Sequence, residues 1–419
     1  MASIKTARAW RSLFVFWLFS FLYSFSWFCQ TPLLFPYWHL KLGVPMTAAI
    51  MLVGSGLVTL PTLILTLPAG NFVDRHGLKQ GVGVLLVICA VAFGLRPLVV
   101  DSFVGMAALT ALAIGFIIAP YSYGVVALRR FPRAQYGLAI SLAGTALLVG
   151  QLVAFAVAPA LFARLGIRAT FEWMSAAWAA MIALWFLAMP AEDLPGAEGE
   201  TGRRTLGEAL RLLFSVPGMG WLVAATGCLT GAQIFASGFL PGFLESAGHL
   251  SPALASQVVG LLPIGALIAA IGLVPWADRR RTLPVVGAAS AAVMVLALVV
   301  AAVGGAPTAG AGGAYAFGVG LGFQSAFLCV QTLIQRMQGR ASLSGTAGAL
   351  GGMANGVAIL IVPPGVAWVS QVAGSAAALG VAAAVTAVAL VGLVAVGPAA
   401  RRVLSAGGRE APMPQSRPG

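Results

Sequence analysis

Long apolar runs alternate with short polar breaks along nearly the whole chain. With charged and Gly/Pro-rich stretches as boundaries, the runs fall near residues 13–38, 46–69, 80–100, 103–127, 135–160, 170–189, 218–243, 252–276, 283–303, 311–335, 342–368 and 376–398. A helix needs about 20 apolar residues to cross the hydrocarbon core of a bilayer. Every run is long enough, so the pattern predicts an all-α membrane protein of twelve transmembrane helices. The first run has no Lys, Arg, Asp or Glu between Ser12 and Trp38. A cleaved signal peptide has an apolar core of only about 7–15 residues, so this run is expected to remain as the first helix.

Composition sharpens the picture. The 419 residues are 60% hydrophobic and 8% charged, against about 25% charged in soluble domains. Too little charge is present to solvate a globular surface, so the exterior must face lipid. The net charge is +13. If the N-terminus is cytoplasmic, 20 of the 24 Lys and Arg fall in inner breaks, and only Lys41, Arg96, Arg164 and Arg168 fall outside. This positive-inside bias puts both termini in the cytoplasm, supports an even number of crossings, and accounts for the basic balance without nucleic acid. A bacterial inner membrane is the expected location. Arg96, at the outer end of the third run, reads as a snorkelling anchor. Cys29, Cys89, Cys228 and Cys329 each sit inside an apolar run and read as small buried hydrophobes.

The longest interior polar break divides the chain. A bundle at 1–190 is followed by a cytoplasmic linker at 191–217, a second bundle at 218–400 and a Gly-, Pro-, Ser- and Arg-rich tail at 401–419. The tail is expected to be disordered. Within the linker, Thr205-Leu-Gly-Glu208 has the spacing of a capping box and predicts a short surface helix through Leu213.

The two halves repeat. Asp74 and Asp278 each follow an apolar run and precede basic residues, Arg75 and Lys79 in the first half and Arg279, Arg280 and Arg281 in the second. Gly115-Phe116 aligns with Gly322-Phe323, Arg129 with Arg336, and Arg133-Ala134 with Arg340-Ala341, at one gapless offset of 207 residues. A parallel six-plus-six repeat implies two pseudo-symmetric bundles with a site between them, which rocking can open to either side.

The stretch Gly70-Asn-Phe-Val-Asp74-Arg75-His-Gly77-Leu-Lys79 resembles the signature loop between helices two and three of the major facilitator superfamily. Gly70, Asp74, Arg75, Gly77 and Lys79 match that pattern, whereas Leu78 replaces a basic residue and Asn71 is unusual. The resemblance implies a secondary transporter whose Asp74 contacts the inner end of helix eleven, near Ala341–Ser344, and latches a cytoplasmic gate. Asp278 and Arg279 are the echo in the second half. Gly70 suits a close helix approach, and Gly77 suits a turn with positive φ. Gly166-Ile-Arg168-Ala-Thr-Phe171 also resembles a family outer motif. Helix five lacks the Gly-Pro pattern of the drug–proton antiporters, and helix four lacks its frequent intramembrane Arg.

Candidate solute-binding residues are neutral. Tyr23, Trp27 and Gln30 share one face of the first helix with Thr31. Thr230 and Gln233 lie on a stripe with Thr226 and Ser237 on helix seven. Gln151, Gln324 and Asn355 lie in runs five, ten and eleven. Buried amides need partners or water, so these residues are expected to face the bundle interior. No carboxylate lies at mid-depth, which leaves coupling to a proton, to another ion or to none as open alternatives. The expected partners are a small neutral or amphipathic solute, a coupling ion and membrane lipid, with the chain acting as a monomer. An uncharged cavity leans toward export over an uptake permease or facilitator. A non-transporting sensor or assembly partner is the alternative from another class. The chain has no GxxxxGK[ST] phosphate loop and no HExxH, so neither a primary pump, an enzyme, a cofactor nor a catalytic residue is expected.

Overall fold

The computed structural model describes residues 2–29, 34–44, 59–116, 118–190, 205–304, 308–339 and 341–406. Among these, ten helical stretches are apolar and long enough to span a bilayer. Two of them hold two crossings each. Leu60–Val99 turns back at Gly77, whose φ of 77° fits a residue without Cβ. Ser344–Ala406 breaks at Gly374, with φ 84° and ψ 170°. The crossings are α1 (Ala2–Phe28), α2 (Leu60–Gly77), α3 (78–94), α4 (Phe103–Arg130), α5 (Tyr136–Leu165) and α6 (Ile167–Ala188) in the first half. In the second half they are α7 (Met219–Ser246), α8 (Gln257–Arg279), α9 (Leu283–Val303), α10 (Ala309–Gln338), α11 (344–373) and α12 (375–406). The last helix continues past the expected bundle boundary to Ala406. Gln30, Thr31, most of the second run's first half and residues 407–419 lie outside the described residues.

The lipid-facing surface is legible from exposure. Ile64, Val104, Leu187 and Val303 are each more than 70% exposed, which only an apolar surrounding tolerates in such numbers. Exposed tryptophans mark two levels. Trp10, Trp221 and Trp276 lie near the end that carries the Asp74 loop, and Trp173 and Trp368 lie toward the other, as an aromatic belt at each interface would require. Between the bundles, the linker helix Leu206–Phe214 opens with the expected capping box. Thr205 Oγ1 accepts from the Glu208 N–H, and the Glu208 carboxylate accepts from the Thr205 N–H.

Arg96 corrects the sequence expectation. It does not snorkel but is fully buried in the first bundle. Its guanidinium donates to the Ser26 carbonyl at 2.9 Å and to Thr110 Oγ1 at 3.0 Å, and lies 4.3 Å from the centre of the Phe93 ring. Ser26 is in the last turn of α1, whose carbonyls carry the negative end of the helix dipole. The charge is thus matched by helix end and ring face instead of by headgroups. Arg96 opens a tight 3-10 turn with Pro97 as its second residue. Arg96→Ala is expected to strand the Ser26 carbonyl and lower the thermal midpoint by several degrees, since hydrogen bonds to charged groups contribute about 1.5–3 kcal/mol. A thermal melt in detergent checks this.

Candidate functional site: two latches and a central cavity

Asp74, near the end of α2, carries the first latch. Its carboxylate accepts from the Gly345 N–H, the Thr346 N–H and the Thr346 hydroxyl, each at 2.7 Å. Arg129, near the end of α4, approaches at 3.4 Å, and both side chains are about 95% buried. Gly345 and Thr346 belong to the first turn of α11, where unpaired N–H groups and the helix dipole favour an anion. A carboxylate of the first bundle therefore caps a helix of the second.

The second latch repeats this with the bundles exchanged. Asp278, near the end of α8, is bidentate to Arg336 at the end of α10, with both bonds at 2.8 Å. It also accepts from the Gly137 N–H in the first turn of α5 at 2.9 Å. Each latch thus joins an Asp, an Arg of the same bundle and a helix N-terminus of the other. The offsets Asp74/Asp278 and Arg129/Arg336 read from the sequence become equivalent positions in space.

Glycines allow the bundles to meet here. A Cβ on Gly70 would collide with the Ala349 side chain and sit 2.6 Å from the Gly345 carbonyl, and one on Gly345 would sit 2.5 Å from the Gly70 carbonyl. The first-half helix α2 and the second-half helix α11 cross backbone to backbone beside Asp74.

The remaining gate candidates differ in exposure and hydrogen bonding. Arg75 and Arg279 are exposed beside their aspartates. Lys79 contributes its carbonyl to the Trp185 indole at 3.0 Å, and Gly77 supplies the turn. Arg129 and Arg336 pair with the aspartates. Their gapless alignment was the available signal. Gly137 and Gly345 act through backbone N–H groups alone, and Thr346 partly so, which leaves little trace in a sequence.

These contacts join the two bundles at one end. A cavity of about 210 Å³ lies between the bundles, lined from both halves. Tyr23, Trp27, Gln151, Thr230, Gln233, Gln324 and Asn355 all line it, while Gln30 lies outside the described residues. The structure also adds Tyr121 and Tyr123, which the sequence reading passed over. They reach the cavity because α4 is interrupted around Phe116 and again at Ser122, on either side of Pro120. Irregular backbone at membrane depth is tolerated where it lines a cavity. None of the lining residues carries a formal charge.

At the other end of the first bundle, Asp101 accepts from the Tyr37 hydroxyl and lies 3.5 Å from Lys41 and 3.6 Å from Arg168. The Tyr37 bond, then the Lys41 charge, hold its carboxyl below the usual carboxylate range. All three charged groups are more than half exposed, so the cluster contributes little to stability.

Two six-helix bundles with a cavity between them have the architecture of a membrane carrier. The Major Facilitator Superfamily model matches residues 16–363, and the chain belongs to that superfamily. No curated protein matches it in sequence. Solved structures share its fold at low identity. The Escherichia coli fucose:proton symporter superposes with a TM-score of 0.69 at 16% identity, over 91% of this chain and 97% of that one. The human organic anion transporter TETRAN gives 0.71 at 14%, over 92% and 99%. A bacterial homologue of the iron transporter ferroportin, in its outward-facing state, gives 0.70 at 18%, over 96% and 100%.

Proposed function

We propose that this protein carries a small uncharged solute across a cell membrane, with both termini in the cytoplasm, and that the structure represents the half of its cycle closed to the inside. The observation that carries this reading is the pair of mirror-related latches beside an uncharged cavity. Each latch joins a helix end of one bundle to the other bundle, so both must break when the bundles rock apart at this end. Two equivalent locks on one side of a central cavity serve alternating access.

The lining favours facilitated movement over proton coupling. Coupled carriers place ionisable groups along the pathway, whereas Asp, Glu, His, Lys and Arg are absent from the cavity wall among the described residues. In a carrier without a coupled ion, direction follows the solute gradient, so the lean toward export gives way to movement both ways. Proteoliposomes loaded with a panel of neutral solutes test both parts. Saturable counterflow with the same initial rate at zero and at one unit of pH gradient is the expected result. A rate that follows the pH gradient in sign and size overturns facilitation. A latch end that never opens in any solute, as judged by cysteine accessibility, overturns the carrier itself and favours the sensor.

A further inference from the structure

Three amides in the cavity wall lack partners among the described residues. Gln151 on α5, Gln233 on α7 and Gln324 on α10 line the cavity and form no hydrogen bond with any described residue. A fourth amide is half used. Asn355 accepts from the Thr230 hydroxyl through Oδ1 at 2.7 Å, which fixes the side chain and leaves its NH₂ group unengaged. An amide offers two donors and an acceptor, and at membrane depth unmet polar groups are unfavourable. These four therefore point to a ligand that brings both acceptors and donors.

The polar and aromatic groups are unevenly shared. Three of the four amides, Gln233, Gln324 and Asn355, belong to the second bundle. The first bundle supplies Tyr23, Trp27 and Phe28 from α1 and Tyr121 and Tyr123 from α4. Two of its hydroxyls are spent on its own backbone, with Ser24 donating to the Leu147 carbonyl and Thr62 to the Ile114 carbonyl, while the buried Tyr23 hydroxyl has no partner among the described residues. Phe323 and Phe327 add rings from the second bundle, so the tyrosine and tryptophan rings gather on the first-bundle wall and most of the amides on the second.

We infer that the cavity takes an uncharged, ring-shaped solute, with a flat face against the aromatic wall of the first bundle and a donor- and acceptor-bearing edge read by Gln233, Gln324 and Asn355 of the second. This deepens the carrier reading and rests on it. Size agrees, because a cavity of about 210 Å³ is smaller than the roughly 300 Å³ at which drug-sized sites begin. A charged solute finds no counter-charge in the wall, and a wholly apolar one leaves the amides unmet. Aromatic faces attract the C–H face of a sugar ring and the π-face of a heterocycle alike, so a monosaccharide and a nucleoside are two sources of the same chemistry.

The test uses the full-length protein in proteoliposomes with four probes: D-glucose, uridine, tetraphenylphosphonium and succinate. The expected result is saturable movement of glucose or uridine, and of neither ion. Glucose alone identifies a polyhydroxylated ring, and uridine alone a heterocycle. Gln233→Met and Gln324→Met preserve side-chain length and remove the amide. Loss of an unpartnered buried amide leaves the free protein as stable as the parent or more so. Each variant should therefore keep its thermal midpoint and turnover while its KM for the carried ring rises about tenfold or more. Movement of either ion in place of the rings, movement of none of the four, or a parental KM in both variants overturns the inference. The carrier reading survives those outcomes if the latch end still opens and closes by cysteine accessibility.

Discussion

Asp74→Asn is expected to slow solute movement at least tenfold while the protein still inserts and purifies as a folded species. The substitution leaves one oxygen for the Gly345 N–H. It turns an NH₂ group toward the Thr346 N–H, so donor meets donor where the carboxylate accepted at 2.7 Å. It also removes the charge beside Arg129, whose side chain is only 4% exposed. Removing one partner of a buried charge pair costs about 3–5 kcal/mol. The bond set exists only when the bundles are together at this end, so that cost falls on the closed state. At about 1.4 kcal/mol per factor of ten, the closed state loses about two to three and a half orders of magnitude in population, and a cycle that must pass through it slows. Asp278→Asn should act in the same direction, because it strips the bidentate partner from Arg336. Initial rates in vesicles, normalised to folded protein by thermal melt, decide the matter. Rates equal to the parent's in both variants would remove the latches from the mechanism.

Gly70→Ala should trap the protein open at the latch end. One added carbon would occupy space already held by Ala349 and the Gly345 carbonyl. Neither α2 nor α11 has a flexible side chain to move aside there, so the helices must separate. Overpacking costs about 1–3 kcal/mol, again only in the closed state, which corresponds to a shift of roughly five- to a hundredfold between states. A cysteine at Gln335 reports the shift. That side chain is buried on α10 at 2% exposure and packs onto Gly124 of the first bundle. Labelling by a membrane-impermeant thiol reagent from the latch side should accelerate about tenfold in the Gly70→Ala background, together with slower transport. An unchanged labelling rate would show that the crossing has room to spare.

Much of this architecture follows from the sequence because its causes are one-dimensional. Span length against bilayer thickness, breaks rich in charge or glycine, and basic residues crowded on one side are properties of the chain read in order. They predict twelve helices and two repeated halves, and they put Asp74 and Asp278 in equivalent places. That Tyr23, Trp27, Gln151, Thr230, Gln233, Gln324 and Asn355 turn toward the interior was also legible, since amides and hydroxyls inside apolar runs need partners or water there. The arginine partners were not. Neighbours on a helix point about 100° apart, so Arg75 and Arg279 face outward while Arg129 and Arg336, far away in sequence, face the aspartates. Packing alone buried Arg96 against the end of α1, and the interruption of α4 alone carried Tyr121 and Tyr123 into the cavity. Which bundle supplies ring faces and which supplies amides likewise emerges only when the two halves meet. Side-chain direction, backbone donors and charge partners depend on how helices are rotated and crossed, and linear order does not encode that rotation.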